Sequence, residues 1–396
     1  MYEDVGEGQG EEANIAFFIQ ISPTNVILVP RLLSRIWHPD NIYCLHIDEK
    51  LENDALVDFK EALASNSKLS NVFLLPSTSI TYAGVSMLVN TLDGMHSLLQ
   101  SKSLWDYFIN LSGSDYPLIS ITAMRRLLGM PSVKNHSTNF VHYSTNVASW
   151  EEIARHRLGI LHFDFSLGFR SNHTIQLAES RMRHPVLSSG NLKVIVAKGE
   201  SWIMVHRLFC EYAAHGNVAR RLLALFANMQ SPSEHFFQTL GWNHLQLNKT
   251  LATHSFRDVV WKHGGIRSIQ HPYIVDKREP NGFWPFWDDI ALSPNFFSRK
   301  FSIPDSPMLD QIDLLKSGAT EKAANLTAVY QSFAIVKNRF ACVTEHARSR
   351  KHPHIMPCFF SGWMQRGCRG GQTELCASDV PPPASKTKIF STPWKK

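Results

Sequence analysis

Four short apolar runs, each followed by a stretch with helical spacing, restrict what this chain can fold into more than any other feature. Residues 15–21, 42–47, 72–75 and 105–111 are of strand length and almost continuously apolar. Alternation of apolar and polar residues marks a sheet with one wet face; unbroken apolar runs mark strands covered on both faces. Between them lie segments with a period near 3.6. In 23–35 and the residue after it, Val26, Val29, Leu32, Leu33 and Ile36 share one helical face. Residues 56–63, 85–99 and 121–128 repeat the pattern. Strand and helix in strict alternation predict a doubly wound, mostly parallel sheet with helices on both faces. Further on, 193–197 and 201–205 read as strands, and 207–214, 218–229 and 234–240 as helices.

In such a sheet the crevice at the carboxyl ends of the strands is where ligands bind, so the residues that end each strand carry the functional information. The second run ends in Asp48-Glu-Lys50. The fourth breaks at Leu111-Ser-Gly-Ser-Asp-Tyr-Pro117, small and acidic residues closed by a proline. Glu234 follows Ser231-Pro-Ser233, with proline at a first-turn position. Its carboxylate is placed either to face a crevice or to reach back to Ser231 as half of a capping box. Arg299-Lys300 forms a basic pair. Arginine can grip phosphate with a two-pronged fork and lysine as a point charge.

Composition narrows the classes. The 396 residues carry 44% apolar content, enough for a large core, and a net charge of +6 without a basic stripe of the kind nucleic acid requires. No apolar stretch approaches the ~18 residues that span a bilayer, and residues 1–12 are acidic and glycine-rich, unlike a leader or an anchor. Cys44 and Cys210 sit in apolar contexts as small buried hydrophobes, whereas Cys342, Cys358, Cys368 and Cys376 crowd the tail in no zinc-like spacing. Sequons occur at Asn110, Asn135, Asn172, Asn248 and Asn325, of which Asn110 lies inside a predicted strand and is expected to be inaccessible. A serine hydrolase would need Gly-x-Ser-x-Gly and a zinc protease His-Glu-x-x-His; neither is present. A nicotinamide enzyme would need Gly-x-Gly-x-x-Gly after the first strand, where this chain has Ile21-Ser-Pro-Thr-Asn25.

Seven motifs in order resemble one family. Leu111-Ser-Gly-Ser-Asp-Tyr-Pro117 resembles its Leu-Ser-x-x-Asp-Tyr-Pro signature, and His46-Ile-Asp-Glu-Lys50 its second strand end. Ser79-Ile-Thr-Tyr-Ala-Gly84, Gly199-Glu-Ser-Trp-Ile-Met204 and Ser231-Pro-Ser-Glu-His-Phe-Phe-Gln-Thr239 follow. Phe256-Arg-Asp-Val-Val-Trp261 and Ser293-Pro-Asn-Phe-Phe-Ser-Arg-Lys-Phe301 close the series. Over residues 14–302 the chain resembles the core-2/I-branching N-acetylglucosaminyltransferase and peptide xylosyltransferase family. The resemblance implies a GT-A-like, Rossmann-type catalytic domain that inverts the sugar it transfers.

It further implies a UDP-sugar donor, with N-acetylglucosamine or xylose as the sugar, and a glycan or protein acceptor. Glu234 would be the base, Asp48 a uridine contact, Asp115 a donor contact, and Arg299 and Lys300 the diphosphate grip in place of a metal. Asp48 and Asp115 read equally as turn residues, and Arg299-Lys300 as an exposed pair. Trp202 and Trp261 are candidates for stacking on acceptor sugars, or ordinary core tryptophans. His46 and His235 read as structural partners of the acids. No cofactor is expected. Asp164, in His162-Phe-Asp-Phe165, lacks the second acid of an Asp-x-Asp metal motif. The family's branching members carry an upstream arginine that also grips the diphosphate; here Tyr273 stands in its place, and Arg267, Lys277 or Arg278 would have to substitute. The altered Gly199-Glu-Ser-Trp202 and Tyr273 leave a non-catalytic sugar-nucleotide or glycan binder as the alternative.

By the same resemblance the compartment is the Golgi lumen, with membrane attachment only through an anchor this sequence does not show. The expected organisation is a disordered 1–13, a catalytic domain over 14–302, a helical extension over 303–340 and a largely disordered, basic, cysteine-containing tail over 341–396.

Overall fold

A computed structural model describes residues 11–144, 153, 156–159, 161–168, 176–178, 194–261 and 272–317. The tail over 341–396, with its four cysteines, lies outside the described residues, as do residues 1–10 and the extension beyond 317. Twelve strands are described. They are β1 (Ile15–Ile21), β2 (Ile42–Ile47), β3 (Val72–Leu74), β4 (Tyr107–Ser112), β5 (Tyr116–Pro117) and β6 (Asn139–Tyr143). The rest are β7 (Leu161–Phe163), β8 (Gln176–Ala178), β9 (Gly199–His206), β10 (Leu251–Ala252), β11 (Arg257–Val259) and β12 (Phe297–Arg299). Seven of them form the main sheet in the order β10-β6-β9-β4-β1-β2-β3. β1, β2, β3 and β4 run parallel, and so do β6 and β10. β9 alone runs against its neighbours β4 and β6. The sheet is therefore mostly parallel and doubly wound, as the alternation of elements predicts.

Side chains of successive strand residues point to opposite faces, and β1 shows what that does here. Ile15, Phe17, Ile19 and Ile21 enter one core, with Val29, Leu32, Leu33 and Ile36 of the helix Val29–Ile36 and Met124, Leu127 and Leu128 of the helix Ile121–Gly129. Ala16 and Phe18 enter the other core, under the helices Val85–Gln100, Arg207–His215, Asn217–Phe226 and Phe236–Asn243. Each fully buried phenylalanine here contributes roughly 1.5–3 kcal/mol. Gly94 lets the helix Val85–Gln100 lie on the ring of Phe18, since a Cβ there would meet ring atoms at 2.5–2.8 Å.

The register levels the strand ends. Gln20 pairs with both His46 and Ser112, so Ser22, Asp48 and Gly113 emerge at one edge. Because β9 is antiparallel, it is its amino end, Gly199 to Trp202, that reaches this same edge. A second sheet, β11-β12-β5, stands beside it over a third core that includes Tyr116, Val275, Trp284, Phe301, Met308 and Ile312.

Several boundaries differ from expectation. Residues 194–197, the described part of an expected strand, pair with no strand among the described residues; side chains meet their backbone instead. Asn243 brackets Ile195, donating to its carbonyl and accepting from its amide, and Thr239 accepts from the Ala197 amide. The helix expected from residue 234 begins two residues later, after a 3-10 turn at Pro232–Glu234. β12 was not foreseen. Helix is present over Pro307–Ser317, the described part of the expected extension. Asn110 is buried and bridges β4 to β9 through Ser201 and Ile203, so its sequon is inaccessible as expected. Cys44 and Cys210 are buried and unpaired.

Candidate active site

A cavity of about 570 Å³ opens at the carboxyl edge of the main sheet. Its lining gathers Asp48, Trp202, Glu234, Trp261, Arg299 and Lys300, six of the seven residues singled out from sequence. Asp115 is the exception. It sits behind the wall, 2% exposed, where one carboxylate oxygen accepts the Ser112 amide at 2.7 Å and the other lies 3.3 Å from Nε of Arg299. Asp115 thus serves both its own turn and the arginine, and does not face the cavity.

The cations at this end are packed hard. Arg299 lies with its guanidinium 4.1 Å from the centre of the Trp202 ring, and Arg257 approaches the same ring at 5.5 Å. Such stacking favours a desolvated cation. Arg257 is 2% exposed, donates to the Asn110 carbonyl, and has Nε and Nη1 without a hydrogen-bond partner among the described residues. Burial lowers its pKa to about 10, against the pull of Asp115 and with the push of Arg299. Lys300 is lowered too, by burial first and by Arg299 second. Arg257 remains a cation at neutral pH, held where little water screens it.

The chain on either side is fixed. The Lys300 amide donates to the Tyr273 carbonyl, and Asp276 accepts the amides of Ser302 and Ile303 at 3.1 and 2.8 Å. Tyr273 itself packs on Phe286. Of the residues that could replace the missing arginine, Arg278 is stacked on Trp284 and neither it nor Lys277 lines the cavity. Arg267 lies outside the described residues. Arg257, which the sequence did not single out, is the additional cation. An arginine set in a strand between Phe256 and Val259 was the available signal.

At the nucleotide end proposed by resemblance, Asp48 accepts the Lys50 amide and pairs with its Nζ at 3.1 Å, while Lys50 also donates to the Ile80 carbonyl. His46 lies beneath, its pKa lowered to about 4 by burial, joined to Thr78.

Glu234 lines the same cavity. Ser231 takes a left-handed conformation, φ 52°, and makes no side-chain cap, so the capping-box arrangement is not formed. The carboxylate instead meets Nη1 of Arg157 at 2.7 Å and Nζ of Lys198 at 3.8 Å, and keeps a third of its side-chain surface open. His235 supports this pair. Its Nδ1 faces the Ala197 carbonyl at 2.9 Å, which makes it the protonated nitrogen and leaves Nε2 to accept from Arg157 at 3.2 Å. Burial drives its pKa down to about 3, with Arg157 adding to the shift. Arg157 was missed because the His- and Arg-rich stretch around it has no periodicity to place it.

Asp164 is spent elsewhere. It accepts from the Ser86 amide at the start of the helix Val85–Gln100 and from Ser166. Burial raises its pKa, but these hydrogen bonds outweigh burial and leave it lowered. Gly84 makes room for it, since a Cβ there would lie 2.1 Å from its oxygen. Among the described residues, no three His, Cys, Asp or Glu side chains converge as metal ligands, and no helix is long and apolar enough to cross a membrane.

Known proteins share this pattern. The chain is 28% identical over 305 residues to the beta-glucuronosyltransferase GlcAT14B of Arabidopsis thaliana, covering 76% of this chain and 65% of that protein. GlcAT14C of the same plant is 29% identical over 302 residues, 75% of this chain and 72% of that one. The xylosyltransferase oxt of Drosophila melanogaster is 26% identical over 335 residues, 81% of this chain and 36% of that one. The chain therefore spans about two thirds of the plant proteins and about a third of the insect one. The profile of the Core-2/I-Branching enzyme matches residues 15–280, and with its strand-end motifs gathered around one cavity, this chain belongs to the core-2/I-branching enzyme family of glycosyltransferases.

Proposed function

We propose that this chain is an inverting, metal-independent glycosyltransferase that moves a sugar from a UDP-sugar to a hydroxyl of a glycan or protein acceptor. The observation that carries the reading is the gathering of both charges in one cavity: Arg299 and Lys300, with buried Arg257 behind them, and the half-open Glu234. Inversion needs a base on one side of the anomeric carbon and relief of negative charge on the other. The acceptor hydroxyl loses its proton to a carboxylate oxygen of Glu234. Its oxygen bonds to the anomeric carbon, and the bond from that carbon to the β-phosphate oxygen breaks with its electron pair on UDP. Arg299 and Lys300 take up that charge directly, Arg257 contributes its field from behind Trp202, and Asp115 holds Arg299 in place. Arg157 and Lys198 hold the Glu234 carboxylate in place before the proton arrives.

Compartment and donor follow the relatives. Secretory-pathway residence in the Golgi lumen, attachment by an anchor outside this sequence and no role for nucleic acid belong to the proposal. The sequence motifs suggest xylose or N-acetylglucosamine; the plant relatives, named for glucuronosyl transfer, add glucuronic acid.

The test is UDP release from UDP-xylose, UDP-N-acetylglucosamine and UDP-glucuronic acid, in EDTA, by wild type and Glu234→Gln. Turnover of one donor that survives EDTA and is lost in the variant supports the proposal. Turnover only with added Mn²⁺ removes the metal-free mechanism. UDP binding with no turnover of any donor, across a panel of acceptors, replaces the enzyme by a non-catalytic binder.

A further inference from the structure

Ala83 and Ser231, both in the cavity lining, hold left-handed backbone and are bonded to each other. Their φ angles are 60° and 52°, a region that is costly for a residue with a Cβ. The Ser231 amide donates to the Ala83 carbonyl at 2.8 Å. Such conformations persist where the surroundings over-determine them, and they concentrate at functional sites. Each of the two adjoins a side chain of the site. Ser231 opens the turn Pro232–Glu234, and its carbonyl accepts the Glu234 amide at 3.0 Å. Tyr82, directly before Ala83, lines the same cavity. Burial first and Glu234 second raise the pKa of Tyr82, against Arg299 and Arg157.

Asp164 closes the turn that carries Ala83. One of its carboxylate oxygens accepts the Ser86 amide at 2.8 Å, and the other accepts the Ser166 amide at 3.2 Å. The Ser86 hydroxyl oxygen in turn accepts the Thr81 amide at 2.9 Å, so both sides of Ala83-Gly84 are tied. Gly84 seats the carboxylate, since a Cβ there would lie 2.1 Å from its oxygen. The segment that carries Asp164 reaches the base by two further routes. The His162 amide donates to the Asn228 carbonyl at 3.0 Å, a few residues before Ser231, and Arg157 meets Glu234. Asp164 itself is not part of the cavity lining, so any influence it has on turnover passes through the turn it holds.

Resting on the glycosyl-transfer reading above, we propose that Asp164 is a positioning residue for the base: it fixes the Ala83 carbonyl to which the Ser231 amide is bonded, and through that bond sets where the Glu234 carboxylate stands. An ordinary helix cap would stabilise the fold and leave turnover alone, and this difference separates the two duties.

The experiment follows UDP release by the full chain with the donor it turns over, beside UDP affinity by calorimetry and stability by denaturant unfolding. Asp164→Ala is expected to lower kcat per folded molecule about 10²-fold, as misplacement of a reacting group does, with UDP affinity within about twofold of wild type. Asp164→Asn keeps an acceptor for the Ser86 amide, because asparagine caps about as well as aspartate, and is expected to recover part of kcat. Gly84→Ala tests the same link with Asp164 in place. At φ −84° alanine adopts this backbone freely, but its methyl displaces the carboxylate, and kcat is expected to fall. The double variant Asp164→Ala/Gly84→Ala is expected to lose less than the product of the two single losses. Ser120→Ala, which removes a cap from the helix Ile121–Gly129, is expected to lower stability and keep kcat. Wild-type kcat in Asp164→Ala or in Gly84→Ala, equal losses of kcat and UDP affinity, or losses that multiply in the double variant overturn the positioning role. If Asp164→Ala does not fold, Asp164→Asn and Gly84→Ala decide by the same kcat readout. Absence of turnover by wild type with every donor overturns instead the functional reading on which the role rests.

Discussion

Two places around the cavity use the same pair, an arginine and a carboxylate, in opposite ways. At the Arg299 end the acid is the hidden member: Asp115 has no exposed side-chain surface and Arg299 keeps 7%. At the Glu234 end the exposures are 33% for the acid and 19% for Arg157. Burial decides which partner acts and which one anchors. Behind the wall a carboxylate can only orient its arginine; in the more open pair the carboxylate keeps surface of its own while its arginine steadies it. The cost of the pair differs in the same sense, since a charge left alone in the interior is far more expensive than one left alone near water.

The largest expected effect breaks the open end. Glu234→Gln is expected to lower kcat by about 10²–10⁴-fold, the range of general-base catalysis, with UDP affinity retained; a variant that keeps its turnover would remove Glu234 from the base role. Next comes the closed end. Asp115→Asn leaves Arg299 with a weaker partner in the interior and is expected to cost up to about 3–5 kcal/mol of stability, read by denaturant unfolding, with weaker UDP binding. Arg157→Met sharpens the contrast: being nearer water, it is expected to change stability by no more than about 1 kcal/mol and to appear in kcat and its pH profile. Equal stability losses for Asp115→Asn and Arg157→Met would contradict the comparison.

A pH titration tests the support beneath the open end. His235 and His254 have native pKa values near 3, and His46 near 4, each lowered by burial from 6.5. Between those values and 6.5 the unfolded chain binds more protons than the native one. Stability is therefore complete above about 6.5 and falls on acidification, by about 1.4 kcal/mol per pH unit for each histidine at most. His235→Asn is expected to flatten part of that slope in chemical denaturation between pH 6.5 and 4. The smallest effect belongs to Tyr116→Phe, which deletes the bond to Asp313 at 2.7 Å and is expected to cost about 1 kcal/mol.

Much of the first half of the fold is legible in the sequence because buried strands of parallel sheets are continuous apolar runs, as Ile15–Ile21 and Ile42–Ile47 are. Direction is not written there. Nothing in Gly199–His206 says that it runs against its neighbours, because a short apolar run looks the same read either way. Residues 194–197 mislead for a related reason: their sequence suits a strand, but their backbone partners are the side chains of Asn243 and Thr239. The acids at strand ends were readable as a set, since topology brings strand ends to one edge. Their individual duties were not, as Asp115 shows, because duty depends on depth. Arg157 and Arg257 contact the site only through tertiary packing, and Asp276 supports Lys300 across 24 residues of chain.

The helix Pro307–Ser317 lies past the profile-matched segment, yet it is tied into the signature turn. Asp313 accepts from Arg31, Arg35 and Tyr116, and Asp310 accepts from Arg31. Tyr116 follows Asp115 directly, so the anchor of Arg299 and this helix share a stretch of backbone. A chimaera that joined the first 302 residues to a relative's later sequence would need acids matched to Arg31 and Arg35. Without them Arg31 and Arg35 would lose their carboxylate partners, immediately beside the turn whose Asp115 meets Arg299.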